Sequence, residues 1–400
     1  MSQFFNEFWE NFTHNLFKPI LLFFYMGFLV PILGVKLDFP HVIYQGLTIF
    51  LLIAIGWHGG EELATLGAKE LTQAGGFMAV GFVTNFIIGV TAYMILRWFT
   101  QLRRVDAATV AGYYGSDSAG TFATAVGVLV SAKIAFAAYM PVMLAVMEIP
   151  GCLVALFLVA LLRRRGMDGA GNMQDEQGYD AANRPISDEN GHGAPGSEDA
   201  HPATAHGNGN VSRNGHGNGR GGGRLISAEL LHEVFLNPGI YLLIAGIVVG
   251  FASGKQGPKV TAPDDNLFIG LFQGLLCLFL LEMGMTASSK LKDLGKAGWP
   301  FIAYGIIAPN IYATMGIIIA HLYSYAIHTP FETGTYVMFS VLCGSASYIA
   351  VPAVQRLAIP EASPTLPLAA SLGLTFTYNV TIGIPIYIQI AKLVQQTFPL

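Results

Sequence analysis

The residues best suited to chemistry sit where a continuous membrane helix would not choose them: Tyr113-Tyr114-Gly115-Ser116-Asp117-Ser118-Ala119-Gly120-Thr121. Two glycines, three hydroxyls and an acid interrupt a segment, 105–130, otherwise apolar enough for lipid. A related stretch, Cys343-Gly344-Ser345-Ala346-Ser347-Tyr348, follows about 229 residues later, with Pro352 behind it. Both contain Gly-Ser-x-Ser. Such residues let a helix open within a membrane, provided the freed N–H and C=O groups find partners in protein or water. Two opened helices facing each other present half-helix N-termini, whose partial positive charge and unpaired N–H groups suit a small anion. Ser116, Ser118, Thr121, Ser345 and Ser347 add hydroxyls that donate to an oxyanion or accept toward a cation. Matched polar breaks in two halves of an apolar chain point to a midplane site of a secondary transporter. Close helix packing through small residues is the plainer alternative.

Asp117 is the sharpest single residue. An ionised carboxylate at bilayer depth costs about 3 kcal/mol or more and marks a functional site by default. It would repel an anion directly, so the economical arrangement seats sodium or a proton between Asp117 and the anion. Coupled symport then follows from electrostatics. The structural alternative is an Asp at the membrane edge bonded to backbone. Glu148, just before Ile149-Pro150, divides evenly between a proton or cation role and structural hydrogen bonding, because Pro150 frees a carbonyl beside it. Glu282 falls near a helix end by sequence boundaries and reads as solvated at the interface. Asn85 and Asn310 occupy equivalent depths and serve as backbone caps, site members or polar contacts between helices. His58, Glu61 and Glu62 read as a loop outside the membrane or gating it. No P-loop, nucleophile elbow or H-E-x-x-H motif supports an ATP-driven pump or a membrane hydrolase.

The elements that position these residues follow from composition. A chain of 400 residues, 53% hydrophobic and 12% charged, is an integral membrane protein; no basic face suggests nucleic acid. Cys152, Cys277 and Cys343 all lie in apolar segments and read as free thiols. The first residues lack a basic region and a cleavage site, so the first apolar segment is expected to stay. Ten stretches are long enough to span, near 16–35, 42–58, 75–99, 105–130, 135–162, 230–252, 267–288, 298–321, 333–356 and 366–393. Between the fifth and sixth, Gly166 to Arg224 holds almost no large apolar residue and is expected to be a disordered loop. Alternate loops on one side hold 15 of the 21 Lys and Arg residues. The positive-inside rule puts that side, with the long loop, in the cytoplasm and both termini outside.

An internal repeat supports the count. Gln45 to Gly67 aligns without a gap on Gln273 to Gly295, with eight of 23 positions identical. Asn85 then pairs with Asn310, Gly115-Ser116-x-Ser118 with Gly344-Ser345-x-Ser347, and Ile149-Pro150 with Ile384-Pro385. The expected fold class is an all-α membrane protein of ten transmembrane helices, a 5+5 inverted repeat with helices 4 and 9 broken. Its parts are residues 1–165, the loop 166–224, and residues 225–400.

Val105-Asp106-Ala107-Ala108, the breaks, the run from Val341 to Pro352, Gly284-Met285-Thr286-Ala287 and Leu357-Ala358-Ile359-Pro360-Glu361-Ala362 together resemble the sodium-dependent bicarbonate transporter family. The resemblance covers both halves and implies a gate domain of helices 1, 2, 6 and 7 working against a core domain. It implies bicarbonate between the breaks, on Gly115, Ser116, Ser118 and Gly120 facing Ser345 and Ser347. It also implies an inner-membrane homotrimer with a PII-like cytoplasmic regulator, and Na+ as coupling ion. The candidate cation set is Asp117, Thr121, Asn310 and Tyr348, with Asp117 as the sodium ligand. One departure stands out: family members carry an acid in the second break where this chain has Tyr348. The alternatives are another small anion or carboxylate, proton coupling, or a receptor or channel that recruits a regulator.

Overall fold

The computed structural model describes residues 17–183, 238–291, 294, 298–349, 351, 352, 355 and 358–399. Among these residues all regular structure is helical. The helices are α1 (Pro19–Ile32), α2 (His41–Leu63), α3 (Ala68–Phe99), α4 (Arg104–Tyr114), α5 (Ala119–Ser131) and α6 (Met140–Arg164). They continue with α7 (Pro238–Gly254), α8 (Pro258–Phe268), α9 (Phe272–Leu291), α10 (Trp299–Ala326), α11 (Thr333–Gly344) and α12 (Leu366–Thr397). Six helical stretches among the described residues are long and apolar enough to cross a membrane, the α8–α9 run counted as one. α1, α7 and α11 are shorter apolar helices. The segment 105–130 is divided into α4 and α5, and α11 stops at Gly344, at the second break.

Glycines set the closest helix contacts. On α2, Gly56 and Gly60 lie against the backbone of Leu243, Gly246, Ile247 and Phe251 in α7. Gly250 and Gly254 of α7 lie in turn against Trp57 and Glu61. Small residues four apart let two backbones approach without side chains between them. α1 and α9 form a second pair: Gly27 abuts Leu281, and Gly284 abuts Phe24 and Phe28. These contacts explain a difference from the sequence reading. The run from Gly56 to Glu62 is no loop; α2 continues to Leu63, its glycines serving the α2–α7 contact. Gly250→Val would drive a branched side chain into the Trp57 backbone. A loss of about 1–3 kcal/mol is expected from such overpacking, seen as a lower Tm in detergent.

The long loop is also corrected in part. Residues 166–183 are ordered and docked. Met167 and Met173 are buried against Val105, Tyr113 and Leu162. Asp168 is buried, and its carboxylate accepts from the N–H groups of Asn172 (2.7 Å), Asp180 (2.9 Å) and Ala170 (3.0 Å). The Glu176 carboxylate accepts from the Arg104 N–H at the start of α4 (2.8 Å), where an acid also suits the helix dipole. Arg104 pairs with Asp175, and Arg103 with Asp106 at 2.7 Å. The rest of the loop, with His192, His201, His206 and His216, lies outside the described residues.

Burial by itself would raise the Asp168 carboxyl, but its backbone donors outweigh that and hold it below the ordinary aspartate range. A depressed folded-state value stabilises docking above the unfolded value near pH 4, and that contribution is lost as pH falls through the folded value. Amides 168–180 are therefore expected to lose hydrogen-exchange protection on acidification below pH 4 earlier than those of α6. Asp168→Ala is expected to remove the protection at neutral pH.

Candidate functional site: two helix breaks in contact

α4 ends at Tyr114, and the Gly115 N–H closes its last turn on Ala111 O at 2.8 Å. Gly115 lies in the crevice between Gly89, Gly151 and the Asn85 carbonyl, where a Cβ would crowd all three. After Ser116 and Asp117 the helix restarts. Ser118 is the N-cap of α5, its Oγ accepting from Thr121 N at 3.2 Å and from Thr121 Oγ1 at 2.9 Å. Ser116 Oγ donates to Glu148 O (2.7 Å) and Asn85 Nδ2 to Met147 O (2.8 Å). Both acceptors lie on α6 just before Pro150, which has no N–H to give the helix ladder.

The second break has a parallel construction. Ser345 is extended past the end of α11, with its Oγ 3.5 Å from Leu342 O. Ser347 Oγ accepts from Val351 N at 3.4 Å, where helical backbone resumes. Asn379 Nδ2, from α12, donates to Gly344 O at 2.8 Å, and Tyr387 OH holds the Asn379 Oδ1 at 2.6 Å. Asn379, fully buried, was not singled out in the sequence; a lone Asn inside the apolar run 366–393 was the available signal. Around it α12 is widened into two π-helical runs, Ala369–Phe376 and Asn379–Gly383. Such bulges free backbone groups and frequently mark functional positions.

The two breaks touch. Ser347 N donates to Tyr113 O at 2.8 Å, and Tyr113 OH donates to Gln355 Oε1 at 2.7 Å. The Tyr348 hydroxyl rests on Gly120 in the first turn of α5, beside Ser118, and has no hydrogen bond of normal geometry. Tyr348 packs edge-on to Phe376 at 5.3 Å, and Phe376 to Phe24 of α1 at 5.9 Å. Phe279 of α9 also flanks Gly120 and stacks on Tyr44 of α2 at 5.8 Å. The space left there, between Thr48, Leu51, Ile55, Gly120, Phe279 and Ile349, is about 10 Å³, room for one water at most. A cavity of about 440 Å³ lies elsewhere, lined by Glu62, Glu70 and Glu332.

Asp117 is 0% exposed, and neither carboxylate oxygen has a hydrogen-bond partner. Glu148 lies within Coulombic range of it, and Cys343 of α11 sits beside it. Ser116, Asp117, Ser118, Gly120, Thr121, Ser345, Ser347 and Tyr348 are thus all buried at or beside the paired breaks. Asn310 is placed differently: it is partly exposed on α10, donating to Ile306 O (3.1 Å) and accepting from Tyr378 OH (2.7 Å). Glu282 departs from its expected interfacial position. It lies within α9, Oε1 accepting from Thr286 (2.7 Å) and Oε2 buried without a partner. Among the described residues no cluster of three or more His, Cys, Asp or Glu is arranged to hold a metal ion.

A multi-pass helical membrane protein whose interrupted helices meet at a buried polar site belongs to the transporter class. The sequence model of the Na+-dependent bicarbonate transporter superfamily matches residues 19–392, and the chain belongs to that superfamily. It is a transporter, not an enzyme, and sodium is the coupling ion the family implies. No individually curated protein matches the chain.

Proposed function

We propose that the chain is a secondary active transporter that imports bicarbonate with sodium, moving a core that carries both breaks against a gate built from α1, α2, α7 and α9. The observation that carries this reading is Asp117, a fully buried carboxylate without a hydrogen bond, set in a break that touches a second break. Desolvated charge of this kind calls for a counter-ion. Bicarbonate is assigned to the break residues Gly115, Ser116, Ser118, Gly120, Ser345 and Ser347, whose Gly115 and Ser347 N–H groups and Ser116 hydroxyl are bonded within the protein in this closed packing, and sodium to Asp117 with Thr121. The closed packing around Gly120 leaves no room for bicarbonate on that side, so a rocking of core against gate is required for loading.

The ten-span, 5+5 inverted-repeat architecture is part of the proposal, with α4 and α5 as the two arms of span 4. It is supported by Ser118 and Ser347, which the repeat aligns and which both accept the N–H of a restarting helix. It is supported too by the way the first two helices pair with α9 and α7. By family likeness the assembly is an inner-membrane homotrimer with a PII-like cytoplasmic regulator, which size in detergent and co-purification would test.

Uptake of labelled bicarbonate into proteoliposomes tests the function. Accumulation only under an inward sodium gradient is expected. A folded protein that accumulates bicarbonate equally without sodium, or not at all, would refute the reading. Tyr348 favours one second reading, since a neutral hydroxyl stands where the family has an acid. Competition of uptake by small carboxylates would reveal such a changed anion.

A further inference from the structure

Glu148 enters the site above only through its backbone carbonyl. Yet its side chain is 6% exposed in the middle of α6, and among the described residues its carboxylate makes no hydrogen bond or ion pair. The titratable neighbours of the pair are thiols: Cys152 beside Glu148 on α6 and Cys343 beside Asp117 on α11. No Lys, Arg or His pairs with either acid among the described residues. Two carboxylates within range of each other, both desolvated and lacking a fixed positive charge, repel one another unless a proton or an exchangeable cation sits between them. A permanent Arg or Lys partner would fill that place; here it is left for an ion. Hard cations prefer such carboxylate, carbonyl and hydroxyl oxygens.

We propose that the Glu148 carboxylate is the second ligand of the coupling-cation site and holds one sodium ion together with Asp117. This rests on the sodium-coupled reading above. The two ligands belong to different elements: Asp117 to the break, Glu148 to the unbroken α6, joined by the Ser116 Oγ to Glu148 O bond of 2.7 Å. A sodium ion between them ties the break to α6 and fixes the backbone that offers N–H groups to the anion. Sodium therefore binds first and stabilises the empty transporter.

The full-length protein in detergent would be melted in NaCl and in choline chloride without bicarbonate, and uptake measured against sodium concentration. The wild type is expected to melt higher in NaCl. Glu148→Gln is expected to lose that sodium-specific shift and to need on the order of tenfold more sodium for half-maximal uptake. Glu148→Asp should recover part of the sodium response. Wild-type sodium dependence retained by Glu148→Gln in both measurements would overturn the assignment. If the Gln variant fails to fold, Glu148→Asp decides: a severalfold weaker sodium response supports the second ligand, and an unchanged one refutes it. A wild type indifferent to sodium in both assays would instead sink the sodium-coupled reading itself, and the assignment with it.

Discussion

Asp117→Asn is expected to abolish sodium stimulation of uptake while leaving the protein as stable as the wild type or more so. The two effects run in opposite directions for one reason. The Asp117 carboxylate makes no hydrogen bond, so Asn of nearly the same shape removes no contact. It does remove a desolvated charge, whose burial without a partner is unfavourable. What it takes away is the attraction for the cation. A loss of sodium stimulation of at least tenfold, about 1.4 kcal/mol in cation binding, is the expected scale. Sodium-dependent uptake and Tm in sodium-free detergent check it together. A variant that melts lower and still responds to sodium would mean that Asp117 serves structure.

The second large effect is expected at Gly120. A Cβ there would overlap the Tyr348 hydroxyl, which is itself wedged between α5 and Phe376. Gly120→Ala must therefore displace the buried Tyr348 side chain that the second break sets against α5. An overpacking cost of about 1–3 kcal/mol and loss of most uptake are expected. Adding Tyr348→Phe removes the colliding oxygen, leaving ring carbon and Phe279 as neighbours at 3.1 Å each, a tight but yielding contact. The double variant is expected to regain stability and part of the transport. Equal defects in the single and double variants would separate Gly120 from Tyr348.

Much of this site was legible in the sequence because membrane depth makes polar residues informative. Gly-Ser-x-Ser in an apolar run costs too much to be incidental, and both breaks fall where those residues stand. The proline at 150 likewise marked the stretch of α6 where Asn85 and Ser116 bond to the Met147 and Glu148 carbonyls, although the carbonyl its missing N–H leaves free is that of Val146. What stayed hidden depended on partners distant in the chain. The glycines from Gly56 to Gly60 look like a loop until α7 is laid against them. Residues 166–183 look like the start of a polar linker, because two methionines and one aspartate do not reveal that α4 and α6 offer them a surface. Glu282 was misplaced because a helix boundary read from composition drifts by a few residues, enough to move an acid from edge to interior.

The close pairing of α1 with α9 and of α2 with α7 bears on how the protein is made. α1 emerges about 260 residues before α9 is complete, a wait of roughly 13–50 s at 5–20 residues per second. During that time the bare glycine faces of α1 and α2 have only lipid or an insertion chaperone against them. Both pairings must therefore wait until more than half of the chain has been made, and a ribosome stalled beyond α6 would leave a half-protein with both grooves open to quality-control proteases.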